Sequence, residues 1–187
     1  MSRRLIRPAD HRIVPWRNGG GRTAELAVAP AETPLGFLWR FSMADVEQDG
    51  PFSAFPDCDR TLLLLQGDGV VLTFQDGEVR RLSRPWDLIS FAGDRPVDCR
   101  LIDGPVRDLN VMVDRRRARM ECRVLPGAGE RSFPAVRVRL LYLLSGTGRH
   151  GADDLAPGDA LLIEGEASML SLGGDSVVYD VAIAPLG

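Results

Sequence analysis

The chain predicts an all-β protein made of two related halves, and three observations carry that expectation. Apolar runs are of strand length, the turns between them are built from Gly, Pro and Asp, and one block of sequence recurs. The runs are Thr61–Leu65, Val70–Phe74, Leu88–Phe91, Leu109–Val113, Val136–Leu144, Ala160–Ile163 and Val177–Ile183. Between them stand QGDG, FQDGE, FAGDRP, IDGP, LAPGD and LGGD, which supply tight turns and positive φ. With 20 Gly, 13 Pro and little helical periodicity, this is a sandwich or barrel pattern. A chain of 187 residues buries roughly 70% of its unfolded surface, enough for a core without disulfide or metal support.

The recurrence has two landmarks. Leu62–Gly69 (LLLLQGDG) answers to Leu141–Gly148 (LYLLSGTG), and Pro85–Phe91 (PWDLISF) answers to Pro157–Ile163 (PGDALLI). Each copy ends in a strand, Asp108–Val113 (DLNVMV) and Asp180–Ile183 (DVAI). The expected division is an N-terminal half over residues 1–118 and a smaller C-terminal half over residues 119–187. The basic run Asp114–Arg119 (DRRRAR) between them reads as a solvated linker.

Composition excludes several chemistries. Twenty-six acidic residues against 23 basic ones give a net charge of -3, so no direct nucleic-acid contact is expected. Every basic residue is Arg, which removes Schiff-base and general-base lysine mechanisms. Only His11 and His150 are present, and neither stands in an HxH pair, so no metal and no cofactor is expected. Cys58, Cys99 and Cys122 lack CxxC spacing and read as free thiols in a reducing cytoplasm. Neither a membrane-length apolar stretch nor a signal-peptide run is present, and the expected location is cytoplasmic. A homodimer fits the smooth apolar strands without being required by them.

Alternation singles out three strands with one polar face. Thr23 and Glu25 share a face, as do Arg40 and Ser42, and Asp108, Asn110 and Met112 oppose Leu109, Val111 and Val113. Such faces meet either a cavity or solvent. The run VPWRNGGGRTAE, from Val14 to Glu25, offers a ring, a charge and an amide (Trp16, Arg17, Asn18) before Gly19, Gly20 and Gly21. It reads as a ligand-approaching loop or a plain turn. Arg60 heads a strongly apolar strand, at the sheet rim or reaching a carboxylate site. No GxSxG or convincing triad is present, and Glu25 or Asp108 remain as candidate bases.

Three ordered blocks then point to a family. PWRNGGGRTAEL (Pro15–Leu26), WRFSMADVEQDGPFSAFPDCDR (Trp39–Arg60) and DLNVMVDR (Asp108–Arg115) resemble the HutD/Ves family of bacterial cupin-like proteins. The resemblance spans about the first 115 residues and implies a bicupin, two β-barrel or jelly-roll halves in one chain. It also implies a metal-free protein that binds a small anionic metabolite, such as urocanate or formylglutamate, and moderates histidine utilisation. A metal-independent isomerase or hydrolase, and a Ves-like stress-response protein acting through a partner, are the alternatives.

The family blocks fall on Trp16, Asn18, Gly19, Gly20, Gly21, Thr23 and Glu25, then on Arg40 and Ser42. They continue on Phe52, Ser53 and Arg60, and on Asn110 and Met112; Arg17 stands where Lys also occurs. On this basis Arg40 is expected to pair with a ligand carboxylate, Asn18 and Asn110 to supply amides, and Ser42 or Thr23 a hydroxyl. Glu25 is expected to hold Arg40 or accept a ligand N–H. Trp16 and Met112 form an apolar wall, and Phe52 and Phe55 close the mouth.

Overall fold

The computed structural model describes residues 2–16 and 21–186. β1 (Ser2–Ile6) and a 3-10 turn at Pro8–Asp10 are followed by β2 (Arg12–Pro15), β3 (Gly21–Pro30), β4 (Phe37–Val46) and β5 (Gly50–Pro51). Next come β6 (Cys58–Gln66), β7 (Val70–Phe74), β8 (Val79–Leu82), β9 (Leu88–Ala92), β10 (Val97–Leu101) and β11 (Val106–Asp114). The chain continues through β12 (Ala118–Pro126), β13 (Gly129–Phe133), β14 (Val138–Ser145), β15 (Gly148–His150) and β16 (Asp153–Leu155). It ends in β17 (Ala160–Glu164), β18 (Ser168–Leu172) and β19 (Val177–Pro185). Every expected apolar run lies within or overlaps one of these strands, because alternating or continuous apolar side chains bury best on a pleated sheet.

Two compact units result, an N-terminal one of Arg12–Arg117 and a C-terminal one of Ala118–Gly187 with Met1–His11. The first eleven residues therefore depart from the expected 1–118 grouping. β1 is the reason, since it pairs antiparallel with β17 from Ser2↔Glu164 to Ile6↔Ala160. The basic run is a turn rather than a free linker: Arg115 meets Asp59 and Asp94, Arg116 meets Asp57, and Ala118 already begins β12.

Each unit is a pair of antiparallel sheets, not a closed barrel. The N-terminal unit sets a six-stranded sheet, β2-β3-β4-β11-β6-β9, beside a four-stranded one, β5-β10-β7-β8. In the C-terminal unit the orders are β12-β19-β14-β17-β1 and β13-β18-β15-β16. Eight strands thus recur in the same order, with β2 and β3 added at one edge of the first unit and β1 at the opposite edge of the second. The inner faces supply separate cores. Leu62, Leu64, Leu72, Phe74 and Val97 belong to the first, and Leu141, Leu143, Leu161, Leu170 and Val178 to the second. Each fully buried leucine of this kind contributes about 1.5–3 kcal/mol.

The repeat is visible bond for bond at the Pro-x-Asp turns. Leu64 donates its N–H to Asp87 O and accepts from Trp86; Leu143 does the same with Asp159 and Gly158. With Leu64 and Leu143 equivalent, the sheet register pairs Leu64 with Asp108 and Leu143 with Val178. Asp180 is therefore the counterpart of Asn110, and Val178 that of Asp108. The connections between the turn and the last strand are shorter in the second copy.

Candidate functional site

The register of the six-stranded sheet gathers the polar face that alternation anticipates. β4 lies between β3 and β11, and β11 lies between β4 and β6. One row across the sheet runs Thr23, Ala44, Asp108, Leu64, and the next runs Glu25, Ser42, Asn110, Leu62. Past a bulge between Glu25 and Ala27, a third row runs Val28, Arg40, Met112, Arg60, Phe91. Glu25 and Arg40 lie in adjacent rows of neighbouring strands, a diagonal that their long side chains span.

These rows floor a cavity of about 450 Å³ in the N-terminal unit, within the size range of small-molecule sites. Of the expected residues, Trp16, Thr23, Arg40, Ser42, Phe52, Arg60, Asn110 and Met112 line it. Phe55 and Ser53 join them, as do Pro15 and Val46, which carry no polar signal in the sequence. Glu25 is not in the lining and instead accepts a hydrogen bond from Arg40 Nε at 2.9 Å. Arg17, Asn18, Gly19 and Gly20 lie outside the described residues.

The mouth is pinned on two sides. Trp16 N–H donates to Gly21 O at 2.9 Å, and its indole N–H donates to Thr23 Oγ1 at 2.8 Å. Gly21 is required there: a Cβ would stand 2.1 Å from Asp45 O. On the other side, Phe52 N–H donates to Val97 O at 3.0 Å and Phe55 N–H to Gly93 O at 2.8 Å.

Two arginines line the cavity, and Arg60 is the more deeply buried of them. Arg40, the expected carboxylate anchor, is held by Glu25 through Nε, as expected of Glu25, and still lines the cavity. Arg60 is 6% exposed, and its Nε donates to Asn110 Oδ1 at 2.7 Å. Phe52 and Phe91 flank its guanidinium at 4.7 and 5.5 Å from their ring centroids. Among the described residues no carboxylate lies within ion-pair distance of it. Burial works against its charge, but a guanidinium keeps its proton in this range.

Asp108, absent from the expected ligand set, lies one pleat along. Its carboxyl accepts from Asn110 Nδ2, so the amide links the cation to the acid without an ion pair. Burial pushes Asp108 up to about 7, partly opposed by the Arg60 charge and the Asn110 hydrogen bond. Asp45, near the end of β4, goes the other way, held below the usual carboxylate range chiefly by its hydrogen bond from Arg107. Cys58 and Cys99 are pushed up by burial to about 11 and about 12, which makes neither a thiolate nucleophile. Among the described residues, no group of three or more His, Cys, Asp or Glu side chains is arranged to hold a metal ion. Nor does any described helix have the length and apolarity to cross a membrane.

Comparison with known proteins covers most of the chain. An uncharacterized 21.2 kDa protein from the hutC 3′ region of Pseudomonas putida is 35% identical over 174 residues, covering 90% of both chains. Protein Ves of Cronobacter sakazakii is 37% identical over 134 residues, 70% of each. HutD from Pseudomonas fluorescens SBW25, solved in a formate condition, superposes with a TM-score of 0.87 at 30% identity, over 100% of both chains. The profile of the HutD family matches residues 8–179, and the chain belongs to that family.

Proposed function

We propose that the N-terminal pocket binds a small carboxylate, such as urocanate or formylglutamate, without metal, and that the protein thereby moderates histidine utilisation. The observation that carries this is the Arg60 guanidinium, buried at the cavity with a neutral amide as its side-chain partner. A buried charge without a counter-ion is costly, and an anion entering the cavity supplies one. A bidentate carboxylate matches the planar fork of the guanidinium. Ser42 adds a hydroxyl, while Trp16, Met112 and Phe52 provide apolar and stacking surface. Family membership and the hutC-region relative support the link to histidine catabolism. In this reading the paired units are the halves of a bicupin, the first open to ligand and the second not.

The test is thermal unfolding with formate, urocanate and formylglutamate, on the unaltered chain and on Arg60→Met. At a hundredfold excess over Kd, the ligand stabilises by about 2.7 kcal/mol, and Arg60→Met should show none of this. Equal shifts in both proteins would remove Arg60 from the site; no shift with any acid would remove the function.

Asp108 favours one second reading. A buried carboxyl poised near neutrality suits a general base, so a metal-independent isomerase or hydrolase would use this residue. Product formed from a bound acid, and lost in Asp108→Asn, would establish that reading over simple binding.

A further inference from the structure

Anion capture by Arg60 leaves one group unexplained. Asp108 is 2% exposed, lines the same cavity, and is joined to the Arg60 cation by hydrogen bonds through the Asn110 amide. If the site existed only to attract anions, a buried acid beside the cation would oppose it. A docked carboxylate and an ionised Asp108 place two negative charges around one guanidinium in a low-dielectric cavity.

Little else nearby can relieve that repulsion. From β4, Arg40 lines the cavity with its charge shared with Glu25, and Asp45, itself negative, is held by Arg22 and Arg107. From β10, the Cys99 thiol stays neutral, since burial and the Asp108 charge push it up to about 12. β6 presents Arg60 and the apolar Leu64, while β3 presents Thr23 in the Asp108 row. Within β11 itself, Asn110 is a neutral partner.

We propose that the pocket takes up its anion together with a proton, and that the proton comes to rest on Asp108. This rests on the assignment of the pocket as an anion site. The step is simple: an O–H bond forms between a solvent proton and a carboxylate oxygen, and no covalent bond of the ligand changes. The protonated acid becomes a donor, so the cavity then presents the guanidinium, the Ser42 hydroxyl and a carboxylic O–H toward an acceptor-only ligand. Burial already holds Asp108 near about 7, so the proton is readily available in the neutral range.

Calorimetric titration with formate, which stays ionised throughout, tests this between about pH 5.5 and about pH 8.5. Each pH is run in two buffers of different ionisation enthalpy. The expected result is an affinity that weakens above neutrality, approaching about tenfold per pH unit, with proton uptake approaching one per site. Asp108→Asn should bind formate with flat pH dependence and no proton uptake. A flat profile without buffer-dependent heat in the unaltered chain, with binding still lost in Arg60→Met, overturns the proton coupling and leaves the anion site standing. No formate binding at any pH overturns both. Should Asp108→Asn fail to fold, the buffer comparison on the unaltered chain decides by itself.

Discussion

The two units place an arginine at the same point of the same strand order and then treat its charge differently. In the N-terminal unit Arg60 meets the amide of Asn110; in the C-terminal unit the equivalent Arg139 donates through Nη1 to the carboxylate of Asp180. Phe133 flanks Arg139 at 5.2 Å as Phe52 flanks Arg60, while Ile163 stands where Arg60 has the second ring, Phe91. At the Asp108 position the C-terminal unit has Val178, fully buried among apolar neighbours. One unit thus satisfies its buried cation internally, and the other keeps a neutral partner beside a cavity. On the last strand the two sites differ at two positions: Asn110 stands where the C-terminal unit has Asp180, and Asp108 where it has Val178.

Exchanging the two partners is the most direct way to break this contrast. Asp180→Asn leaves Arg139 buried without its counter-ion and should cost about 3–5 kcal/mol in urea unfolding. A cost below about 1 kcal/mol would mean that the pair is solvated and that the contrast is overstated. The reciprocal change, Asn110→Asp, gives Arg60 an internal carboxylate. It should keep the fold and lose the formate-dependent stabilisation, about 2.7 kcal/mol at a hundredfold excess. Retained stabilisation in Asn110→Asp would show that the ligand does not use the charge of Arg60.

Asp108 sharpens the comparison through pH, because the C-terminal unit has no acid at that position. An unfolded Asp loses its proton near 3.8, whereas folded Asp108 holds it up to about 7. In that window the native chain binds one more proton than the unfolded chain, so its contribution falls as pH rises. Relative to Asp108→Asn, the unaltered protein should lose about 1.4 kcal/mol per pH unit between about pH 4 and about pH 7. Parallel stability profiles for the two proteins would show that the acid titrates normally. Asp45 has the opposite sign, with stability lost as pH falls through its depressed range, and the paired comparison cancels it.

Much of this was legible in the sequence, and the exceptions share a cause. Apolar runs mark the strands because burial drives them, and Gly67 with Gly146 marks the repeat because both take positive φ, +94 and +78. Alternation correctly put Arg40 with Ser42, and Asn110 with Met112, on one face. Register is not written in alternation, however. The bulge between Glu25 and Ala27 shifts the pairing of β3 beyond Glu25, and alternation gives no sign of it. The shorter connections of the second copy hide the Asn110–Asp180 equivalence, and with it the reason Arg60 matters. Long-range pairing explains the remaining departure: β1 joins β17 across most of the chain, which no local signal announces.

The smallest expected effect lies at the turn that first revealed the repeat. Gly158 sits at φ +97 and Trp86, its counterpart, at φ +67, so the same hydrogen-bonded turn carries a glycine in one copy and a bulky side chain in the other. A left-handed backbone disfavours any residue with a Cβ, and at position 158 that Cβ would also stand 3.3 Å from Pro8 Cγ. Gly158→Ala should therefore cost about 1 kcal/mol. Trp86→Gly relieves comparable backbone strain but gives up the contacts of a half-buried ring, so its net change should be smaller than that of Gly158→Ala. A loss well above that of Gly158→Ala would mean that the Trp86 ring holds the N-terminal unit together in a way its twin does not need. The two turns would then differ, like the two arginines, in what their side chains do rather than in how the backbone runs.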